Sequence, residues 1–257
     1  MKNEVKDRLK EGRPIANGWL HIPSGWTAEV MATAKWDALT VDLQHGMIGF
    51  DTALQMLQAI STSNLVPMAR VGWNRPEQIM KLLDAGAMGI ICPMVNSREE
   101  CESFVQACKY PPSGIRSMGP TRAKLLHGDE YLEKANEQVL TLAMIETTEA
   151  VRNLKEILNV DGLDGIFVGT GDLKQSIKAE NPNGNIQKLL DSALNMIVEQ
   201  TQKKQRIPGI WSPSLEVAKV MMNKGYQLIS FMSDSMILTQ YSRQLVADLK
   251  SSFEEKQ

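Results

Sequence analysis

The stretch Leu142-Ala-Met-Ile-Glu146-Thr147 decides the fold class together with Gly165-Ile-Phe-Val-Gly-Thr-Gly-Asp172, the next similar stretch along the chain. Each is a short apolar run that ends in polar residues. Between them lies segment 150–158, whose apolar residues recur at helical spacing. Two apolar runs flanking an amphipathic helix are typical of a β–α–β unit with parallel, buried strands. The two stretches therefore predict a parallel sheet covered by helices.

The same alternation continues in both directions along the chain. The predicted strands are 15–22, 38–42, 66–71, 89–95, 141–146, 165–168, 207–211 and 228–232. The predicted helices are 27–35, 51–63, 76–85, 97–109, 150–158, 186–203, 215–224 and 235–251. We expect Asp51, Ser97 and Ser214 to cap helices and Pro76 to occupy a first helical turn.

Eight strands alternating with eight helices in 257 residues predict a single (β/α)₈ TIM barrel domain over residues 1–257. A doubly wound open sheet is the structural alternative, but no GxGxxG motif follows the first predicted strand. One connection, the β4–β5 loop region 110–138, is much longer than the others. Connections of this length are usually lids, binding segments or disordered pieces. Its prolines, glycines and two arginines favour a binding loop.

Composition narrows the class of protein. The net charge of -2 gives no reason to expect binding to nucleic acid or to an anionic membrane surface. There is no run of about 18 apolar residues, so we expect no membrane span. The N-terminal segment lacks the apolar centre of a secretory signal. Three cysteines without metal-site spacing predict reduced thiols. We expect a cytoplasmic enzyme.

A barrel enzyme builds its active site at the carboxyl ends of its strands. Four predicted strands end in polar residues with useful chemistry, namely His45, Arg70, Glu146 and Asp172. Two carboxylates on consecutive strand ends could hold one divalent cation, with water completing the ligand shell. A helix cap is the alternative for Asp172. Glu146, directly after an apolar run, would otherwise be buried without a partner.

His45 and Arg70 each have a structural alternative as well. A single histidine is more often structural than catalytic, although His45 lies in a turn that opens toward the barrel mouth. An arginine at a strand end needs an anion, which is either a substrate carboxylate or a protein carboxylate such as Asp42 or Glu146. The turn Gly169–Asp172 offers successive backbone N–H groups for a carboxylate, or it is a plain β–α turn.

These residues belong to a set of motifs that resembles a known family. The motifs are Ala38-Leu-Thr-Val-Asp-Leu-Gln-His45-Gly, Val66-Pro-Met-Ala-Arg70-Val, Cys92-Pro-Met-Val95, Tyr110-Pro-Pro-Ser-Gly-Ile-Arg116, Met144-Ile-Glu146-Thr, Gly165-Ile-Phe-Val-Gly-Thr-Gly-Asp172-Leu and Gly209-Ile-Trp-Ser-Pro213. In order and spacing they resemble the HpcH/HpaI family of class II, metal-dependent pyruvate aldolases along essentially the whole chain.

The resemblance implies roles for individual residues. It places the metal ligands on Glu146 and Asp172, with Mg²⁺, Mn²⁺ or Co²⁺ as cofactor. It places the catalytic residues on His45, on Arg70, which contacts the 2-oxo group, and on Asp84, which works with the histidine. We expect substrate contacts from Trp19, Gln44, Gly169, Thr170, Gly171, Arg116 and Arg122. For the two arginines of the long connection, simply tying down that connection is the alternative.

Three positions depart from the family pattern. Met144 stands where a glutamine is often found, and Gln44 stands where some members carry glutamate. The turn often written Gly-Pro-x-Asp-Leu is Gly169-Thr-Gly-Asp172-Leu here. None of these departures removes a predicted ligand or catalytic group, but each bears on substrate choice and catalytic strength.

The resemblance implies an aldolase that cleaves or forms 4-hydroxy-2-oxo acids, with pyruvate and an aldehyde as partners. It also implies a homo-oligomer, a hexamer or trimer, in which a neighbour's segment closes the site. No lysine ends a predicted strand, which argues against a Schiff-base aldolase. One alternative is a lyase for CoA thioesters of the malyl or citramalyl type. The other is a barrel that binds an oxo acid without catalysis.

Overall fold

A parallel barrel forms the centre of the molecule. The structure, a computed structural model, describes residues 1–254, so residues 255–257 of the predicted domain lie outside the described part. The strands are β1 (Ile15–Leu20), β2 (Ala38–Asp42), β3 (Val66–Arg70), β4 (Gly89–Cys92), β5 (Leu140–Ile145), β6 (Gly165–Val168), β7 (Ile207–Ser212) and β8 (Leu228–Ser233). They pair in chain order and close into a barrel, which confirms the predicted fold.

Helices surround this barrel. Over the described residues they are α1 (Glu4–Lys10), α2 (Gly25–Ala32), α3 (Phe50–Ile60), α4 (Pro76–Asp84), α5 (Arg98–Cys108), α6 (Thr121–His127), α7 (Tyr131–Gln138), α8 (Thr148–Arg152), α9 (Leu154–Leu158), α10 (Thr170–Glu180), α11 (Ile186–Lys203), α12 (Leu215–Asn223) and α13 (Asp234–Glu254). Apolar side chains pack between these helices and the strands. A second apolar cluster, made mainly of strand residues such as Trp19, Met68 and Phe167, fills the barrel interior.

Three of the four predicted helix starts are confirmed. Ser97 and Ser214 accept hydrogen bonds at the N-caps of α5 and α12, and Pro76 occupies the first turn of α4. The prediction for Asp51 is wrong because α3 begins one residue earlier. Its N-cap is Gly49, and Asp51 lies inside the first turn, where its charge favours the positive end of the helix.

The second half of region 110–138 is helical, which corrects its prediction as a loop. Helices α6 and α7 occupy it, and Tyr131 and Ala135 of α7 are buried. The polar composition hid these helices because each is short and buries only a narrow apolar face. This region therefore packs on the barrel body.

The two ends of the barrel differ in character. Helix α1 covers the amino-terminal end, where Asn3 donates to the carbonyls of Met88 and Gln138 and the Lys6 ammonium pairs with Asp164. The carboxyl-terminal end is open and forms the mouth described below. No helix in the described part of the chain is both long enough and apolar enough to cross a membrane.

Candidate active site

A cavity of about 270 Å³ opens at the carboxyl end of the strands. Its lining residues come from β1, β3, β5, β6, β7 and the loops that follow the strands. They are Trp19, His21, His45, Arg70, Met144, Phe167, Gly169, Thr170, Gly171, Asp172, Trp211 and Met236. The cavity thus contains most of the residues that the sequence placed at the mouth.

Asp42 organises one wall of this cavity. It ends β2 in register with Arg70 at the end of β3, and it is fully buried. Its carboxylate accepts two hydrogen bonds from Arg70, at 2.8 and 2.5 Å. It also accepts from the Trp19 indole at 3.1 Å and contacts the His21 ring at 2.8 Å. Burial alone would raise the pKa of the Asp42 carboxyl, but the bonds from His21, Arg70 and Trp19 lower it far below its ordinary value.

Arg70 is fixed by this carboxylate and faces the cavity. Its guanidinium lies over the Trp19 ring, 5.0 Å from the ring centroid, and Trp19 stacks on Phe167 at 5.4 Å. Its Nη1 lies 3.9 Å from the sulfur of Met144. A guanidinium held on one edge by a carboxylate and on one face by an indole is preorganised to stabilise negative charge in the cavity.

Glu146 has a buried oxygen that the protein leaves unsatisfied. Its Oε1 accepts from the backbone N–H of Met94 at 2.7 Å, while Oε2 has no hydrogen-bond partner among the described residues. Met94 takes a left-handed backbone conformation, φ 54°, to present this N–H. Burial raises the pKa of Glu146, and the nearby negative charge of Asp172 raises it further. A buried carboxylate in this state needs a cation or a proton.

Asp172 lies at the start of α10, near enough for its charge to act on the Glu146 carboxyl. Gly169 is the N-cap of α10 and Asp172 lies in its first turn. A Cβ on Gly169 would lie 2.5 Å from Oε2 of Glu146, so only glycine lets the backbone approach that carboxylate. The free N–H groups of this helix start border the cavity, which suits a substrate carboxylate.

These two carboxylates fit a hard divalent cation. Within residues 1–254, no group of three or more His, Cys, Asp and Glu side chains could hold a metal ion. Mg²⁺ commonly takes only one or two protein carboxylates and completes its shell with water and substrate oxygens. The unsatisfied Oε2 of Glu146, next to Asp172, matches that mode of binding.

His45 lies at the exposed rim of the cavity. Its backbone N–H points to Asp42 at 3.4 Å, but its ring makes no hydrogen bond to any described residue. Gln44 is half-buried, lies outside the cavity lining, and has a buried Oε1 with no partner in the described part of the chain. The Thr170 hydroxyl donates to the carbonyl of Trp211 at 3.2 Å, which ties the turn to β7.

Three predicted site residues lie away from the cavity, namely Asp84, Arg116 and Arg122. Asp84 ends α4, just before β4 begins, and therefore lies at the amino-terminal end of the barrel. It pairs at 2.7 Å with Arg116, which is buried against Tyr110 and Tyr131. Arg122 donates to the carbonyl of Ala85. Within one chain these three residues do not reach the mouth, so their predicted roles require a neighbouring chain.

Five lining residues were not predicted as site residues from the sequence, and one of them, Met144, was noted only as a departure from the family pattern. His21 was noted only as one of three histidines, and Phe167, Trp211 and Met236 were seen only as strand or helix residues. Asp42 bonds three of the lining side chains without lining the cavity itself. From the sequence it was considered only as a structural partner of Arg70. The signal for it was a carboxylate at the end of an otherwise apolar strand, three residues before His45.

The sequence matches the model of the HpcH/HpaI aldolase/citrate lyase family over residues 19–240. The chain belongs to this family. It is 39% identical over 249 residues to a hydroxypyruvate/pyruvate aldolase of Rhizorhabdus wittichii, covering 97% of this chain and 99% of that protein. It is 36% identical over 251 residues to a 4-hydroxy-2-oxo-heptane-1,7-dioate aldolase of Escherichia coli, covering 96% and 95%.

A solved structure agrees with this assignment. An HpcH/HpaI aldolase/citrate lyase family protein from Burkholderia cenocepacia matches the fold with a TM-score of 0.90 and 26% identity, covering 97% of this chain and 100% of that one. The family resemblance inferred from the motifs is therefore confirmed. The chain is an enzyme of the aldolase type, a carbon–carbon lyase.

Proposed function

We propose that this HpcH/HpaI enzyme cleaves and forms 4-hydroxy-2-oxo acids, with pyruvate and an aldehyde as the other side of the reaction, and that it needs a divalent cation. The unsatisfied Oε2 of Glu146 carries this proposal, because it lies against Gly169, which lines the same cavity as Arg70 and Asp172. The names of the two aldolases described above support the substrate class.

Glu146 and Asp172 would hold the cation. Mg²⁺, Mn²⁺ and Co²⁺ all suit carboxylate ligands, and affinity order does not choose among them. When bound, the cation would act as a Lewis acid toward the pyruvyl oxygens.

The chain's own residues supply the other interactions. Arg70 donates to the developing enolate oxygen, and Asp42 keeps it in that position. The backbone N–H groups at Gly169–Gly171 receive the substrate carboxylate at the start of α10. His45 faces the cavity as the sequence-predicted proton acceptor. Its predicted partner Asp84 lies at the other end of the barrel in the same chain, so a neighbouring chain would have to supply that partner.

A substrate panel tests this proposal. Purified enzyme with Mg²⁺, Mn²⁺ or Co²⁺ is mixed with 4-hydroxy-2-oxo acids of different tails, and pyruvate release is followed with lactate dehydrogenase. Malyl- and citramalyl-CoA serve as the competing substrate class. We expect pyruvate from the oxo acids and no cleavage of the thioesters. Cleavage of thioesters alone would replace the aldolase proposal with the CoA-thioester lyase.

We further propose that the enzyme is a homo-oligomer, a hexamer or trimer, joined through α13. Residues 238–251 of α13 are exposed, and Leu238, Tyr241, Leu245 and Leu249 share one face. An apolar groove of about 290 Å³ beside β8, lined by Ile15, Ala218, Met222 and Phe231 among others, lies open where the last outer helix of a barrel belongs. A second copy's α13 would fill it.

Sedimentation tests the oligomer. The double variant Tyr241→Asp/Leu245→Asp should sediment as a smaller species than wild type, whereas Gln240→Asp on the polar face should not. A wild-type monomer at working concentration would remove the proposal.

The buried, unpaired thiols of Cys92, Cys101 and Cys108 support our further proposal that the enzyme works in the cytoplasm.

A further inference from the structure

The loop after β4 holds the Glu146 carboxylate through a strained turn. Met94 has φ 54°, in the left-handed region that favours glycine, and its N–H donates to Oε1 of Glu146 at 2.7 Å. This hydrogen bond occupies one carboxylate oxygen and leaves Oε2 without a partner among the described residues. The orientation of the carboxylate therefore depends on the contacts that keep Met94 in this conformation.

Asn96 makes the contacts that hold this turn. Its Nδ2 donates to the carbonyl of Met94 at 3.2 Å, and its Oδ1 accepts from the hydroxyl of Thr147. Its backbone N–H donates to Oε2 of Glu100 at 2.6 Å, and its backbone carbonyl accepts from Nδ2 of Asn153 at 2.7 Å. The side chain and the backbone of this half-buried residue are thus fixed from four directions.

The donors and acceptors allow one orientation of the Asn96 amide. A backbone carbonyl can only accept, so Nδ2 must face Met94 and Oδ1 must face Thr147. Oγ1 of Thr147 accepts from the N–H of Ala150 at 3.0 Å, as the N-cap of α8, and its hydrogen is left to donate to Asn96. Because Thr147 directly follows Glu146, the turn that holds the carboxylate is bonded back to the residue beside it.

Thr148 extends these contacts to the helix that carries Asp172. Its N–H donates to Oγ of Ser176 at 3.0 Å, and the two hydroxyls lie 3.1 Å apart. Ser176 lies one turn after Asp172 in α10. Residues 147–148 are therefore bonded to the loop after β4 on one side and to α10 on the other. One set of hydrogen bonds links the surroundings of both carboxylates.

We propose that Asn96, Thr147 and Ser176 are positioning residues, which fix Glu146 relative to Asp172 so that Oε2 is available to a divalent cation. This rests on the cation requirement proposed above. None of the three lines the cavity, so they act through the two carboxylates. A carboxylate that is free to turn must be ordered when the cation binds, which weakens binding. Their hydrogen bonds place that order in the protein before the cation arrives.

Binding of Mn²⁺ to the chelator-treated enzyme tests the proposal without any substrate. The electron paramagnetic resonance signal of free Mn²⁺ gives the Kd. Asn96→Ala removes both side-chain bonds of Asn96, Thr147→Val removes the hydroxyl, and Thr147→Ser keeps it. Ser176→Ala removes the bond to residue 148 and should fold, because alanine favours a helix. Asn185→Ala is the matched control, since it removes the side-chain cap at the exposed start of α11.

We expect the Kd for Mn²⁺ to rise by about 10-fold in Asn96→Ala, Thr147→Val and Ser176→Ala. It should keep the wild-type value in Thr147→Ser and in Asn185→Ala. The Mn²⁺ concentration that gives half-maximal pyruvate release should rise in the same three variants, while kcat at saturating Mn²⁺ changes much less. Urea unfolding of Asn96→Ala and Asn185→Ala separates the loss of affinity from a loss of stability.

Wild-type affinity in the three variants would overturn the proposal. An equal loss of affinity in Asn185→Ala would also overturn it, because affinity would then follow stability alone. Wild type that binds no Mn²⁺ would overturn it together with the cation requirement. The expected changes in Kd, in an enzyme that releases no pyruvate, would support the positioning role and refute only the aldolase function.

Discussion

Asp42 accepts hydrogen bonds from three side chains that line the cavity, Trp19, His21 and Arg70. Trp19 and His21 lie at the end of β1 and Arg70 lies at the end of β3, so this one buried carboxylate of β2 sets the relative positions of the three strand ends. Its lowered pKa keeps it charged over the range in which enzymes work. The wall that faces the proposed cation site therefore depends on a single side chain.

Asp42→Asn should damage both stability and activity. The amide presents an N–H to the buried Arg70 guanidinium, which then lacks an anionic partner. We expect the free energy of unfolding to fall by about 3 kcal/mol and kcat for cleavage by about 100-fold. Asp37→Asn is the control, because Asp37 pairs with a partly exposed Arg8 at the other end of β2. Urea unfolding and pyruvate release measure both effects, and equal losses in the two variants would contradict this role of Asp42.

At the scale of single elements, α10 depends on two glycines with different surroundings. A Cβ at Gly169 would lie 2.5 Å from Oε2 and 2.9 Å from Cβ of Glu146. At Gly171 it would meet nothing within 4 Å in the described part of the chain. A change from glycine to alanine would therefore clash with Glu146 at position 169 and would fit without a clash at position 171.

Gly169→Ala should therefore destabilise the fold by about 1–3 kcal/mol, since Glu146 and the backbone must move apart. Gly171→Ala should leave stability unchanged or raise it slightly, because alanine favours a helix over glycine. Chemical unfolding of the matched pair measures the difference. Equal stability of the two variants would mean that Glu146 moves freely, and the site would not be preorganised.

The elements themselves were largely predictable from the sequence. The strands were found because each is a short apolar run between helical patterns. Helices α1, α6, α7 and α10 were missed because they are short or carry few apolar residues. In the site, Arg70, Glu146 and Asp172 were found at strand ends. His21 was not, since only the closure of β1 against β2 brings its ring to Asp42, and sequence spacing does not contain that contact.

At the scale of the whole molecule, α1 closes the barrel end opposite the mouth. Lys6 is almost fully buried there, where its ammonium pairs with Asp164 and donates to the carbonyl of Val139. Burial lowers the pKa of Lys6 from 10.5 to about 8, although Asp164 opposes the shift. The unfolded chain therefore binds more protons than the native state between these two values.

This sign makes the contribution of Lys6 to stability rise with pH. Between about pH 8 and pH 10.5, wild type should gain stability relative to Lys6→Met by at most about 1.4 kcal/mol per pH unit. The variant lacks this one titrating group, so the titration of the other residues cancels in the difference between the unfolding free energies of the two proteins. Urea unfolding of both proteins at several pH values tests this. A constant difference would contradict the lowered pKa.

The central claim is that Glu146 and Asp172 make the barrel mouth a cation-dependent aldolase site. It is tested most directly by pyruvate release from a 4-hydroxy-2-oxo acid, measured on chelator-treated enzyme before and after Mn²⁺ is added. We expect release only after addition, and at least a 100-fold loss in Glu146→Gln. Glu149→Gln, the same change at an exposed position three residues away, should behave as wild type. Undiminished release without metal, or by Glu146→Gln, would contradict the claim.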